Sequence, residues 1–426
     1  MIGFIGLSHL GLNYSLATAA KGFDVVAFDP DAKLIEQLRR GNFPIAEPGF
    51  EALFQQHRAR LRYTSDPAEL APCDLVFYSL DVRTDAGGAG DVAPLSALIE
   101  STLPKLAPSA TTVVLGQVAP GYTRTLASRH ATRPGGIYYQ VETLVFGAAV
   151  QRALEPERFI VGAADATQPL PAALRAWHAA SSCPVLVMRY ESAELAKIAI
   201  NLFLVSSVAT TNTVAELCER IGADWSEIAP ALRLDRRIGP HAYLQPGLGL
   251  AGGNLERDLA TARALATEHR TDFRLIEAWQ RNSAHRKAWA QEVLQQELFE
   301  KNFRARVAVW GLAYKADTHS TKNSAALELL GSVPACEFHV YDPAVVLPAP
   351  HSSGVTVHPS ALEALTQADA LVVMTPWKEF SAIAPADLRA RLKGNLVIDP
   401  FGALDGNACR AAGLRHRQLG KTATLA

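Results

Sequence analysis

Six residues near the amino terminus are spaced to hold a phosphate. Gly6-Leu7-Ser8-His9-Leu10-Gly11 follows the apolar run at 2–5 and opens an Ala- and Leu-rich segment from Leu12 to Lys21. The pattern reads as strand, tight turn and helix. A second apolar run, Val25 to Phe28, ends at Asp29, 18 residues after Gly11. Such a unit aims helix amides and the positive end of the helix dipole at a pyrophosphate, while the carboxylate accepts from ribose hydroxyls. Gly6, Ser8, His9, Leu10, Gly11 and Asp29 are therefore expected to bind a dinucleotide. An acid at position 29 favours NAD over NADP, and Lys33, one helical turn on, is the only nearby cation. Ser8 stands where the middle glycine is usual. Its Cβ would crowd the phosphate or its hydroxyl would donate to it, and the sequence leaves both readings open.

A second group lies on a segment with neither Gly nor Pro, Val185 to Ile221. The spacing predicts one long helix of roughly 30 residues, about 45 Å in length, spanning between domains or subunits. Lys197 and Asn201 on it are four residues apart and project from one face. By themselves they would be a solvated lysine and a helix-face amide. An acid further along the chain gives them company: the glycine-rich stretch from Pro246 ends in Asn254-Leu255-Glu256-Arg257-Asp258.

The elements that must position these groups alternate. Strand-like runs at 74–79, 111–115 and 158–161 are separated by helix-length polar segments, which predicts a parallel α/β sheet. The pattern restarts near residue 305, with runs at 306–311, 337–342, 370–375 and 396–399. These runs predict a second α/β domain. The polar stretch from Gln291 to Arg304 reads as a linker.

Composition narrows the function classes. The 426 residues are 49% hydrophobic with mean hydropathy +0.06, enough for more than one buried core. Basic and acidic residues number 41 and 42, for a net charge of -1, which gives no electrostatic footprint for nucleic acid or an anionic membrane. The five cysteines, Cys73, Cys183, Cys218, Cys336 and Cys409, lack metal-type spacing and suit reduced thiols in the cytoplasm. No export signal is read at the amino terminus and no apolar run is expected to span a bilayer. The 12 histidines show no ligand spacing, so no metal is expected.

Six ordered motifs together resemble the UDP-glucose/GDP-mannose dehydrogenase family over essentially the whole chain. They are the fingerprint turn, Asn42 to Gly49 ending in Glu-Pro-Gly, Glu194-Leu-Ala-Lys-Ile-Ala-Ile-Asn201, Ala215 to Asp224, Arg237-Ile-Gly-Pro240 with the glycine loop after it, and Gly311-Leu-Ala-Tyr-Lys-Ala-Asp-Thr318. The resemblance implies two Rossmann-like doubly wound α/β domains joined by a long central helix and a helical dimerisation region. The expected parts are an NAD domain at 1–185, a helical dimer-forming centre at 186–290, and a nucleotide-sugar domain at 305–426. It also implies a homodimer that oxidises a nucleotide sugar, a UDP-sugar first of all, with NAD.

By the same resemblance Lys197 and Asn201 steady the substrate oxygen, Asp258 takes the proton directly or through water, and Glu142 belongs to the catalytic group. Lys315 would face the nucleotide diphosphate, Lys322 would stand for a cofactor-side arginine, and Arg237 would reach the neighbouring subunit's substrate. Tyr243 and Gly249 are further expected substrate contacts. Four departures stand out: Asn254, counted back from Asp258, occupies the position of the family's catalytic cysteine (aligning Gly252-Gly253 instead puts Leu255 there, and neither is a thiol), Gln117 that of a threonine holding water, and Val82 that of a threonine meeting the cofactor, while the turn after Asp399 lacks an arginine. An amide cannot form the thiohemiacetal of the second oxidation, so a halt at the aldehyde or ketone is expected. Two rivals remain open: a catalytically silent binder of nucleotide sugar or NAD, and a hydroxyacid dehydrogenase-like enzyme.

Overall fold

A computed structural model describes residues 1–84, 90–300, 302, 304–333, 336–347 and 354–422. They form two compact units, Met1–Ile200 and Asn201–Ala426.

The first unit is built on β1 (Ile2–Ile5), β2 (Val25–Phe28), β3 (Leu61–Thr64) and β4 (Leu75–Tyr78). A short ribbon of β5 (Arg83–Thr84) and β6 (Gly90–Asp91) comes next, then β7 (Thr111–Val114), β8 (Ile137–Gln140), β9 (Phe159–Ala163) and β10 (Val185–Arg189). Eight of these strands make one sheet in the order β10-β9-β8-β7-β4-β1-β2-β3. Every pair is parallel except β8 with β9, which run antiparallel. The central strands β1, β2, β4 and β7 are buried at every position, as strands with both faces covered must be. Phe4 and Phe77 pack in one apolar cluster while their neighbours Ile5 and Tyr78 pack in another, the period-two alternation of strand side chains. Connections leave β1 toward β2 on one side and β4 lies on the other, so the order reverses between β1 and β4. The turns after these two strands flank the crevice where doubly wound sheets bind ligands.

The helix Tyr190–Ile221 has 32 residues and carries the last part of the first unit and the first part of the second. It is shorter than the sequence reading at its start, because Val185–Arg189 pairs with β9 as a strand. Its most apolar 18-residue window has a hydropathy of 1.5, so by length and composition it does match a membrane span, contrary to the sequence expectation. A third of that window is buried inside the protein. Its Ala193, Val205, Ala215 and Cys218 lie in three separate apolar clusters.

In the second unit the helices Trp225–Leu234, Asn254–Glu268, Arg274–Lys287 and Trp289–Leu294 precede a wholly parallel sheet. Its strands are β11 (Arg306–Trp310), β12 (Glu337–Tyr341), β13 (Val355–Val357), β14 (Ala370–Val373), β15 (Leu396–Ile398) and β16 (Arg415–Arg417). The order is β13-β12-β11-β14-β15-β16. The stretch read as a linker is helical through Phe299. Trp289, Ala290, Val293, Leu294 and Phe299 are buried in the main cluster of this unit, and that apolar face outweighs the polar residues between them.

Candidate functional site

In the first unit the fingerprint turn has the close packing its glycines require. Gly6 has φ +91°, and a Cβ on Gly11 would lie 2.0 Å from the Gly6 carbonyl oxygen. No side chain fits there. Asp29, buried at the end of β2, accepts from the Leu7 amide at 2.8 Å and the Asp31 amide at 3.0 Å. An ionised carboxylate has about four acceptor sites, so capacity remains for ribose hydroxyls, and these residues fit NAD.

The other turn residues are engaged by the chain itself. Ser8 Oγ donates to the Ser79 carbonyl at 3.2 Å and accepts from the Asp81 amide at 2.8 Å. Its one proton is thus given to a backbone carbonyl, which decides between neither of the two sequence readings. His9 Nε2 lies 2.7 Å from Glu47 Oε1, and its ring packs at a tilt against Phe146, with centroids 4.2 Å apart. Glu47, from the Glu-Pro-Gly motif, also accepts from the Gly147 amide at 3.0 Å and the Ala149 amide at 3.2 Å. The Leu10 amide donates to Asp81 Oδ2 at 3.1 Å. Lys33 is exposed, Val82 is buried, and Gln117 is half-buried.

The same unit holds Lys197, whose Nζ is 2.7 Å from Glu142 Oε1 and donates to the Glu142 carbonyl at 3.0 Å. Glu194, one turn earlier and fully buried, accepts from the Gly121 and Thr123 amides at 2.7 and 2.8 Å. It satisfies the first turn of the helix Tyr122–Arg129 and ties the turn bearing Gln117 to the helix bearing Lys197. Burial raises its pKa, against the two amides that lower it.

In the second unit Asn201 Nδ2 donates to Asp258 Oδ2, and Asp258 is fully buried. Arg257 Nε stands 3.7 Å from the other carboxylate oxygen. Asn254 is the first residue of the helix Asn254–Glu268 and is exposed, one turn before Asp258. Leu255 instead packs with Val205, Leu250 and Leu259. Positions 254 and 255 stand four and three residues before Asp258, so helix spacing puts both on its side; they differ in that Asn254 is exposed and Leu255 is packed among apolar side chains.

The glycine loop before this helix is held by close approach. A Cβ on Gly249, at φ +69°, would lie 2.4 Å from the Ser283 carbonyl, and Leu250 donates to Ser283 Oγ at 2.7 Å. Gly252 donates to the Lys322 carbonyl at 3.0 Å and accepts from Asn323 Nδ2 at 2.8 Å. Lys322 is exposed, and Lys315 lies 5.8 Å from the centre of the Tyr314 ring. After β11 the first unit's arrangement is repeated: Leu312 and Ala313 amides donate to Asp342 Oδ2 at 2.6 and 3.0 Å. The ring of Tyr243 is half exposed. Arg237 is exposed and bound at two points by Asp235, at 3.0 and 2.7 Å.

Burial pushes all five thiols upward: Cys73 and Cys409 to about 11, Cys336 to about 12, with Cys183 and Cys218 raised as well. None is a thiolate at neutral pH.

Three supporting residues escaped the sequence reading as site residues. Glu47 and Glu194 lie inside the motifs quoted above, and Asp81 follows a strand at the switch point, where any charged residue is a candidate.

A dinucleotide-type unit followed by a second parallel α/β unit, with a lysine, an amide and a buried acid between the fingerprints in sequence, is the build of a nucleotide-linked dehydrogenase. The chain belongs to the UDP-glucose/GDP-mannose dehydrogenase family. Its NAD-binding domain matches residues 1–179, its central domain 191–284 and its UDP-binding domain 308–406. The UDP-glucose 6-dehydrogenase AglM of Haloferax volcanii is 30% identical over 93% of this chain and 96% of its own. The UDP-glucose 6-dehydrogenase TuaD of Bacillus subtilis is 27% identical over 99% and 93%. A solved UDP-glucose dehydrogenase from Pyrobaculum islandicum superposes with a TM-score of 0.85 at 25% identity, over 99% and 98% of the two chains.

Proposed function

We propose that this oxidoreductase oxidises a hydroxyl of a UDP-linked sugar to the aldehyde or ketone and stops there, acting as a cytoplasmic homodimer. NAD supplies the hydride acceptor. As the carbon-bound hydrogen leaves with its electron pair, Asp258 takes the hydroxyl proton directly or through water, and Lys197 and Asn201 hold the oxygen while its charge develops. Glu142 keeps Lys197 in place. Lys315, Tyr243 and Gly249 bind the nucleotide sugar, with Arg237 reaching the neighbouring subunit's substrate. Gly6, Ser8, His9, Leu10, Gly11, Asp29, Lys33, Val82, Gln117 and Lys322 serve the cofactor. The chain acts in three parts, 1–185, 186–290 and 305–426.

One observation carries the two-electron limit: all five thiols are shifted away from the reactive thiolate, while Asn254 stands one turn before Asp258. A thioester route needs a thiolate, and an amide does not replace it. The test is stoichiometry. A panel of UDP-, GDP- and dTDP-sugars is run with NAD, counting NADH and trapping carbonyl product with hydroxylamine. One NADH per substrate and an oxime are expected. Two NADH and a carboxylic acid would end the reading.

A further inference from the structure

The amide that a dinucleotide's diphosphate needs is already taken. Leu10 is the second residue of the helix His9–Ala20, so its N–H is one of the amides a helix leaves without an internal partner. Asp81 Oδ2 accepts from it at 3.1 Å. The carboxylate is held there from its own backbone, since the Asp81 amide donates to Ser8 Oγ at 2.8 Å and Ser8 Oγ donates to the Ser79 carbonyl at 3.2 Å. Three hydrogen bonds thus draw the loop after β4 onto the turn after β1, across the point where the strand order reverses. Ser8 makes two of them, which a glycine could not.

We infer that Asp81 is a built-in anion that competes with the cofactor's diphosphate for the helix amino terminus and so sets the NAD affinity of this chain. The inference rests on the NAD-binding role of the first unit. A carboxylate and a diphosphate both gain from the same dipole end and the same amides, and two like charges cannot share them without mutual repulsion. NAD binding therefore requires the Asp81 side chain to leave Leu10. Asp81 is exposed, so water receives its carboxylate when it swings out.

The test is calorimetric titration of NAD and of ADP-ribose into the full chain and its Asp81→Asn and Asp81→Gly variants, with circular dichroism to verify folding. Both ligands carry the diphosphate. Asp81→Asn removes the charge and keeps an acceptor; Asp81→Gly removes both. Affinity should rise in that order, by roughly two- to fivefold at Asp81→Gly, the scale of one exposed charge at a helix terminus. Equal or weaker binding by both variants, with the parent protein still binding NAD, would overturn the inference and leave the NAD reading standing. Failure of all three folded proteins to bind either ligand would overturn both.

Discussion

The Lys197 ammonium sits 2.7 Å from a carboxylate oxygen of Glu142 and 3.0 Å from the carbonyl oxygen of the same residue. One residue thus supplies both its counter-charge and its second acceptor. A lysine has three N–H donors, and these contacts use two. The third is what a substrate oxygen would take.

Lys197→Ala should lower NADH formation by about 10²–10³-fold, the usual loss when one donor to a developing oxyanion is removed. Glu142→Gln keeps an acceptor and should lose less. Steady-state rates with the best sugar of the panel decide it, and an unimpaired Lys197→Ala would remove the lysine from the chemistry.

Asp258 calls for a different separation, because it is buried and its bond from Asn201 also supports the fold. Asp258→Asn retains shape and an acceptor, so it should keep its melting temperature and lose turnover. Asn201→Ala removes a bond to a buried charge and should cost about 1.5–3 kcal/mol of stability, read by urea unfolding. An Asp258→Asn protein with full activity would place the base elsewhere.

Thiol reagents give an independent readout of the missing nucleophile. Every cysteine is pushed toward the neutral form by burial, so iodoacetamide at pH 7 should leave NADH formation unchanged over an hour. Loss of activity with one equivalent bound, prevented by substrate, would reveal a working thiol.

How much the sequence discloses depends on how local each signal is. The runs that form β1, β2, β4, β7, β11 and β14 are short, apolar and bounded by turn residues, so their type is plain. β3, reading Leu-Arg-Tyr-Thr, and β16, reading Arg-His-Arg, are sheet edges rich in polar and charged residues. Nothing local marks them as strands. β10 reads as part of the long helix because no glycine or proline separates Arg189 from Tyr190, and only pairing with β9 makes it a strand. The fingerprint turn and the helix bearing Lys197 and Asn201 are legible as spacing. The contacts that complete them, Asp81 to Leu10, Glu47 to His9 and Glu194 to Gly121, join residues 71, 38 and 73 apart, and sequence spacing carries no record of them.

His178 gives a pH prediction. It is buried, its Nε2 lies 2.7 Å from Gln140 Oε1, and burial, with the Lys21 charge nearby, lowers its pKa to about 4. The unfolded chain, with a histidine pKa near 6.5, then binds the proton first as pH falls. Stability contributed by neutral His178 is fully present above about pH 6.5 and is lost progressively down to about pH 4. Unfolding free energy measured across that window should fall less steeply in His178→Gln than in the parent protein. Parallel slopes would show that the ring titrates alike in both states.

The long helix supplies the last prediction. Phe203, Leu217 and Ile221 are 80%, 53% and 73% exposed, with the exposed Thr210 midway between the first two. Exposed large apolar side chains on one helix are what a second helix would cover. In the proposed homodimer this face meets its copy, so Phe203→Asp should yield a folded monomer. Being a surface substitution in the single chain, it should change monomer stability by no more than about 0.5 kcal/mol. Light scattering at micromolar concentration should give twice the chain mass for the parent and the chain mass for the variant. A monomeric parent protein with full activity would remove both this interface and the role of Arg237 across it.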